Sequence, residues 1–370
     1  MQSKKSNETS HPRILYLYSD QKRGGIFHYR VKKPLETLRS EGMFVDYLDS
    51  RMFNYGNMSL RFWEAALREY NMIICKHIQH DSTWDIVNAV CSQENKILVN
   101  DFDDNLFKVD SSNPNKEYFE EGTRLSIMAK QQIEKSDALI VSTHELQDEY
   151  SQYHDNIFVL PNLYDAKDYP QKRQFKEELV NQYIFWGGST SHELDLAMIM
   201  PAIRQLLTDK KNVMFVTMGY HPDAGFMSLT KDQVENQWLR LPSVPSFAEY
   251  AKAITHVPAT IAIAPLTDTL FNRGKSAIKY FEYASQGIPV VASDIGTYYP
   301  ITHKETGLLA KNNPIDWYAC MDLLLEDEAL RNKLAHKALN SIHSDFSYTR
   351  HAKLFSETMK SIFSKTKKTV

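Results

Sequence analysis

Residues 271–293 read Phe271-Asn-Arg-Gly-Lys-Ser-Ala-Ile-Lys-Tyr-Phe-Glu-Tyr-Ala-Ser-Gln-Gly-Ile-Pro-Val-Val-Ala-Ser293, and the apolar run Ala259-Thr-Ile-Ala-Ile-Ala-Pro265 stands just before them. Two short apolar runs, 259–265 and 288–292, flank a stretch of helical length, which predicts a βαβ unit of a parallel sheet. Ligands of such sheets bind outside the carboxyl ends of the strands, where loops run into helix N-termini. Arg273 and Lys275 fall at the expected helix start, where backbone N–H groups and the helix dipole favour an anion. Phosphate is the ligand this place suits, with Asn272 and Ser276 beside it. Glu282 lies seven residues beyond Lys275, two turns along the same helical face, so a carboxylate and an ammonium reach one ligand from one side. A nucleotide sugar needs both, a cation for the diphosphate and an acceptor for the ribose hydroxyls. The plain alternative is a solvated loop before an amphipathic helix.

Strands and helices alternate outward from this unit. Arg13-Ile-Leu-Tyr-Leu-Tyr-Ser19 predicts a first strand, Asp20-Gln-Lys-Arg-Gly-Gly25 a turn, and residues 27–41 a helix. Further strands are expected at 44–48, 71–75, 96–100, 137–143 and 157–162, with helices near 59–69, 82–92, 124–135 and 145–150. A polar stretch, 162–176, reads as a structureless hinge. Then Tyr183-Ile-Phe-Trp-Gly-Gly-Ser-Thr-Ser-His192 predicts a strand running into a glycine turn, followed by a helix from Asp195 and a strand over 213–219. Leu239 to Pro245 leads to a helix near Phe247, residues 306–310 close the sheet, and helices follow at 315–325, 327–343 and 349–364. This alternation means α/β with parallel sheets. A chain of 370 residues makes two domains the expectation, each large enough for a core.

The net charge of −3 argues against a strongly basic nucleic-acid binder. Cys75, Cys91 and Cys320 lack metal-type spacing and fit a reducing compartment. The start of the chain is polar without an apolar core, and no run approaches the length that spans a bilayer, so the expected location is cytoplasmic. Arg13, Lys22, Arg23, Arg30, Lys32 and Lys33 crowd the first βα unit against Asp20 alone up to Pro34, which suits an anionic acceptor, the donor phosphates, or simply a solvated basic face. Gly24 and Gly25 follow the first strand, but G-x-G-x-x-G is absent, so dinucleotide binding has weak support. Asp101, Asp103 and Asp104 cluster at a strand's carboxyl end. They read as acceptor- or sugar-binding groups, as a helix cap or solvated turn, or, because Asp101-Phe-Asp103 is a D-x-D, as a metal site.

Asp268-Thr-Leu-Phe-Asn-Arg-Gly-Lys-Ser276, followed by Lys279-Tyr-Phe-Glu-Tyr-Ala-Ser-Gln-Gly-Ile-Pro-Val-Val-Ala-Ser293, resembles the donor-site signature of retaining GT-B glycosyltransferases of the family 4 type (glycosyl transferases group 1). The acidic run with the later Asn113-Pro114 is similar to that of some bacterial and phage-type members. Members typically carry two glutamates eight apart. The second is Glu282 here and the first falls at Gly274, so the chain departs from the pattern and the missing role passes to neighbours such as Arg273 and Lys275.

The resemblance implies a GT-B architecture, two Rossmann-like parallel-sheet domains facing a central cleft. Residues 1–12 are then a disordered lead-in, 13–165 an acceptor domain, 177–345 a nucleotide-sugar donor domain, and 346–364 a helix crossing back to the first. It also implies a hexosyl- or pentosyltransferase that works with retention and without a metal, takes a nucleoside-diphosphate sugar as co-substrate, and needs no separate cofactor. Arg273, Lys275, Asp103 and Asp104 become the catalytic candidates. Gly187, Gly188, Ser189, His192, Gly219, Val244, Asn272, Ser276 and Glu282 face the donor, and Gly24, Gly25, Arg30 and Asp101 the acceptor or sugar. The acceptor partners left open are an envelope or other glycan, a lipid-linked intermediate, a protein and modified DNA, with peripheral membrane contact also open. A nucleotide-sugar epimerase on the same fold and a non-catalytic nucleotide-sugar-binding module are the competing functions.

Overall fold

The computed structural model describes residues 11–19, 24–50, 60–76, 78–111, 113–169, 181–225, 227–244 and 246–366. The expected lead-in up to residue 10, Lys22 and Arg23, the second half of the expected hinge, Pro245 and the last four residues lie outside them. Two six-stranded sheets carry the chain, and every strand pair in both is parallel. The first holds β1 (Arg13–Tyr18), β2 (Phe44–Asp49), β3 (Met72–Lys76), β4 (Ile97–Phe102), β5 (Ala138–Val141) and β6 (Ile157–Val159) in the order β2-β1-β3-β4-β5-β6. The second holds β7 (Gln182–Gly188), β8 (Val213–Gly219), β9 (Trp238–Leu241), β10 (Ile261–Ala264), β11 (Val290–Ser293) and β12 (Leu308–Ala310) in the order β12-β11-β10-β7-β8-β9. Strands β3, β4, β10 and β11 are buried along their whole length, because helices cover both faces of a parallel sheet. Counted from β7, the second order is the 3-2-1-4-5-6 of doubly wound dinucleotide-binding folds, whose switch point lies between β7 and β10.

The chain divides into two compact units: Met1–Asp103, Ile127–Pro161 and His351–Val370 in the first, Asp104–Ser126 and Asn162–Arg350 in the second. The C-terminal helix, Tyr348–Thr366, buries Ala352, Phe355, Met359 and Ile362 on one face, and from His351 on it counts with the first unit. Residues 104–126, expected with the first sheet, cluster with the second. Asp110 Oδ2 accepts from Thr269 Oγ1 at 3.0 Å, and the Asp104 carboxylate lies 3.5 Å from Lys275 Nζ. Nor is the first half of the expected hinge structureless. Tyr164 bridges to Ser347, its N–H donates to Phe346 O at 2.8 Å, and Asn162 Nδ2 donates to Ser276 Oγ at 3.1 Å.

In the first unit, the helix after β1 widens into a π-helical turn over His28–Lys32, and Arg30 in that turn is 1% exposed. Its Nε and Nη2 donate to the two carboxylate oxygens of Asp101 at 3.0 and 2.9 Å, and Nη1 donates to Leu160 O. Lys76 Nζ donates to Asp101 O and lies 2.5 Å from an Asp103 oxygen. Arg30 and Asp101, expected to face a sugar or acceptor, therefore satisfy each other inside the first unit. A buried bidentate pair leaves few lone pairs for an outside ligand. The basic crowd is likewise engaged locally: Arg13 pairs with Glu69 and stacks on Phe44, and Lys32 and Lys33 both face Glu36.

Removing one partner of a buried ion pair strands the other charge. Asp101→Asn is expected to destabilise the protein by about 3–5 kcal/mol, read as a lower urea midpoint. An unchanged midpoint would show that the pair contributes nothing to folding.

Candidate functional site

The second sheet makes its site where β7 and β8 end side by side. Their register pairs Gly187 with Met218 and Gly188 with Gly219, so three of the four residues at the carboxyl edge have no side chain. Gly219 needs to be glycine. Its φ is +92°, and a Cβ there would stand 2.6 Å from Gly188 O, the carbonyl that accepts from Tyr220 N–H. A Cβ on Gly188 would press into Trp186 at 2.5 Å. Above these bare strand ends lies a cavity of about 450 Å³, lined among others by Gly187, Gly188, Ser189, Gly219, Val244, Tyr250, Lys279 and Glu282.

The helix Leu270–Arg273, capped by Thr269, ends at Gly274, and a second helix, Ile278–Ser285, starts four residues later. Lys275 therefore precedes the helix that carries Glu282, and the two do not share a helical face. Lys279 does: it stands three residues before Glu282, and both line the cavity. The first-turn N–H groups of this helix have no carbonyl four residues back within the helix, so its N-terminus adds a positive end near the Lys279 ammonium. Glu282 is 7% exposed and accepts from Tyr250 Oη at 2.9 Å, which fixes the carboxylate's direction. Burial, and then the Glu282 charge, push the Tyr250 hydroxyl well above its usual range, so it stays a donor.

Behind Lys279, His192 Nε2 lies 3.4 Å from Nζ, and His192 Nδ1 lies 2.8 Å from Asp195 Oδ2. Asp195 also accepts from Thr267 N–H, Thr267 Oγ1 and Asn272 Nδ2 at 2.7, 2.8 and 2.9 Å. Burial, then the Lys279 charge, lower His192 to about 4 against the pull of Asp195, so its ring is neutral at pH 7. Burial raises Asp195, but the hydrogen bonds from His192 and Thr267 outweigh it and hold the carboxyl below its usual range. Burial also lowers Lys279, Glu282 opposing and Lys275 assisting. The Lys275 ammonium sits 4.3 Å over the Phe271 ring, beside Asp104.

Of the residues expected to bind a donor, Gly187, Gly188, Ser189, Gly219, Val244 and Glu282 line one cavity. Asn272 is buried in the Asp195 network, His192 stands behind Lys279, and Ser276 is held by Asn162. Arg273 is not at the cavity. It is exposed, at the end of the short helix, and its Nε and Nη2 grip the Asp268 carboxylate at 2.6 and 2.9 Å. Gly24 and Gly25 lie in the first unit with open space around both α-carbons. Asp103 is drawn to Lys76 and Asp104 to Lys275. Lys279 and Tyr250 were missed. The i, i+3 spacing of Lys279 with Glu282 was the available signal, usable only once the helix start is placed after Ala277. Among the described residues no group of three or more His, Cys, Asp or Glu is set to hold a metal ion. No described helix is long and apolar enough to cross a membrane.

Residues 181–327, which contain this whole cavity, match the family model described as Glycosyl transferases group 1. A search of curated protein sequences finds no match. Among solved structures, the chain is similar to HepE of Anabaena in complex with UDP and glucose, at 15% identity and a TM-score of 0.69 over 95% of this chain and 100% of that one. It is also similar to sucrose-phosphate synthase of Thermosynechococcus elongatus, at 14% identity and 0.68 over 95% and 100%. A glycosyltransferase of Rickettsia africae aligns at 13% identity and 0.63 over 95% and 99%. At these identities the likeness establishes the fold, which is GT-B.

The glycine contacts separate two substitutions. Gly219→Ala is expected to cost about 1–3 kcal/mol, since it combines strained backbone with a contact on a carbonyl. Gly24→Ala, with no atom near its new methyl, should cost under about 1 kcal/mol. Equal effects in urea melts would contradict the strand-end geometry.

Proposed function

We propose that this chain is a glycosyltransferase that moves a sugar from a nucleoside-diphosphate donor to an acceptor hydroxyl, with the donor nucleotide seated in the cavity of the second unit. One observation carries the reading. Lys279 and Glu282 project from one helix into a cavity floored by glycines at the ends of β7 and β8, inside the segment that matches the group 1 family model. An ammonium and a helix N-terminus suit a diphosphate, bare strand ends let its oxygens approach the backbone, and a buried, oriented carboxylate suits ribose hydroxyls. The UDP in the HepE structure makes UDP sugars the first donors to test.

In the proposed reaction the bond between the anomeric carbon and the diphosphate oxygen breaks and charge builds on the leaving group. Lys279, Lys275 and the N–H groups of the helix at Ile278 stabilise that charge. The acceptor oxygen attacks from the face the diphosphate leaves, which gives retention, and its proton passes to the leaving phosphate. With these cations in place the reaction needs no divalent metal, and Arg30 and Lys76 already engage Asp101 and Asp103. Arg273, gripped by Asp268, is left out of the machinery. Arg13, Arg30, Lys32 and Lys33 are each met by a carboxylate, so they do not single out an anionic acceptor from among glycan, lipid-linked intermediate, protein and modified DNA.

A panel of nucleotide sugars is screened by thermal shift, since a donor that binds the folded state raises its melting temperature. The hit is then assayed for transfer, and epimerised donor without transfer would assign the same fold to another reaction. Lys279→Met should lower transfer at least about thirtyfold, the loss of one buried charged hydrogen bond at about 2–5 kcal/mol. Arg273→Ala should stay within about twofold of wild type, as exposed pairs contribute little. Activity should persist in EDTA. Loss of transfer in Arg273→Ala with full activity in Lys279→Met would reverse the assignment.

A further inference from the structure

His192-Glu-Leu-Asp195 sits at the turn from β7 into the helix Glu193–Asp209, and its two polar ends face each other across one helical turn. Asp195 accepts on both carboxylate oxygens, so the proton in its contact with His192 belongs to the imidazole Nδ1. The neutral ring then carries its lone pair on Nε2, and that atom points at the Lys279 ammonium. His192 itself is not among the residues that line the cavity, whereas Lys279 is.

We infer that His192 is a positioning residue, an acceptor oriented by Asp195 that holds one N–H of Lys279 and so aims the remaining two into the cavity at the diphosphate. The inference rests on the reading that this cavity takes a nucleoside diphosphate. An ammonium on a four-carbon stem has rotamer freedom to lose when it is held in one direction. A fixed acceptor behind it takes that loss before the ligand arrives, as outer partners do for the ligands of a metal. Burial serves the same end. A protonated imidazole would carry a hydrogen on Nε2 and repel the ammonium, and the desolvation that lowers His192 keeps that atom an acceptor. A general-base role for His192 conflicts with the geometry, since both ring nitrogens are already engaged.

The test is a double-mutant cycle on the full chain, with UDP, GDP, ADP and dTDP and the matching monophosphates titrated calorimetrically. His192→Ala should weaken the preferred nucleoside diphosphate about tenfold while leaving its monophosphate within about threefold, and the double variant with Lys279→Met should be no weaker than Lys279→Met alone by more than about twofold. Equal losses for diphosphate and monophosphate, full additivity in the double variant, or unchanged binding by His192→Ala would each overturn the inference while the donor-site reading stands. If the wild-type chain binds none of the four diphosphates, the donor-site reading itself falls and takes the inference with it. Should the alanine variant not fold, His192→Gln and His192→Asn decide the matter. Glutamine's carbonyl extends toward the place of Nε2 and keeps the contact with Lys279, while asparagine reaches only the place of Nδ1. Diphosphate affinity at least about fivefold higher in the glutamine variant supports the inference, and equal affinity overturns it.

Discussion

The second unit depends on one buried carboxylate. Asp195 stands in the first turn of the helix after β7, yet three of its hydrogen bonds go to Thr267 and Asn272, in the segment that follows β10. Those two segments leave neighbouring strands at the switch point of the sheet, where the connections diverge in opposite directions along the sheet and leave a crevice. A charge at this depth is tolerable only when its lone pairs are met. Both loops are thereby held to positions at which donors surround Asp195. The fourth bond, from His192, carries the constraint toward Lys279.

Two kinds of constraint meet above the strand ends. On one side the backbone of β7 and β8 is stripped of side chains, and the left-handed turn at Gly219 folds it back under Gly188 O. On the other, the helix Ile278–Ser285 presents a cation at its start and a carboxylate one turn later. Tyr250 keeps that carboxylate oriented by a hydrogen bond whose proton does not leave near neutral pH. A small cavity with one cationic end and one anionic end follows from this arrangement without any residue in a strained rotamer being invoked. The first unit treats its charges differently. Arg30, Lys76, Asp101 and Asp103 form one network whose members answer each other, and the π-helical turn that bears Arg30 lets the guanidinium reach Asp101 and Leu160 O together.

Much of the chain was legible before its structure. Alternating apolar runs placed eleven of the twelve described strands to within a few residues, because a parallel sheet needs buried apolar stretches between covering helices, whereas β9 (Trp238–Leu241) was read only as a lead into the next helix. Gly187, Gly188, Gly219 and Glu282, each picked out in the sequence as facing a donor, line one cavity in the structure; a glycine turn after a strand and a carboxylate on a βα helix are local features that a sequence displays. Short elements escaped, among them the helices Lys116–Phe119, Lys231–Asn236 and Leu270–Arg273, whose few residues carry no period.

The sequence by itself determined the α/β alternation, the two-sheet size of the chain and the place of the donor-like signature, all properties of neighbours along the backbone. Only the tertiary structure decided which charges stand free to act. Arg273 and Lys275 look equivalent in the sequence, but Asp268 grips the first, and the break in the helix between Arg273 and Ile278 takes the second out of phase with Glu282, leaving Lys279 in that place. Asp101 and Arg30, seventy-one residues apart, look like two ligand-seeking groups until the register of β1, β3 and β4 closes them on each other. Partners of a charge are chosen by distance in space, and separation along the chain carries no record of it.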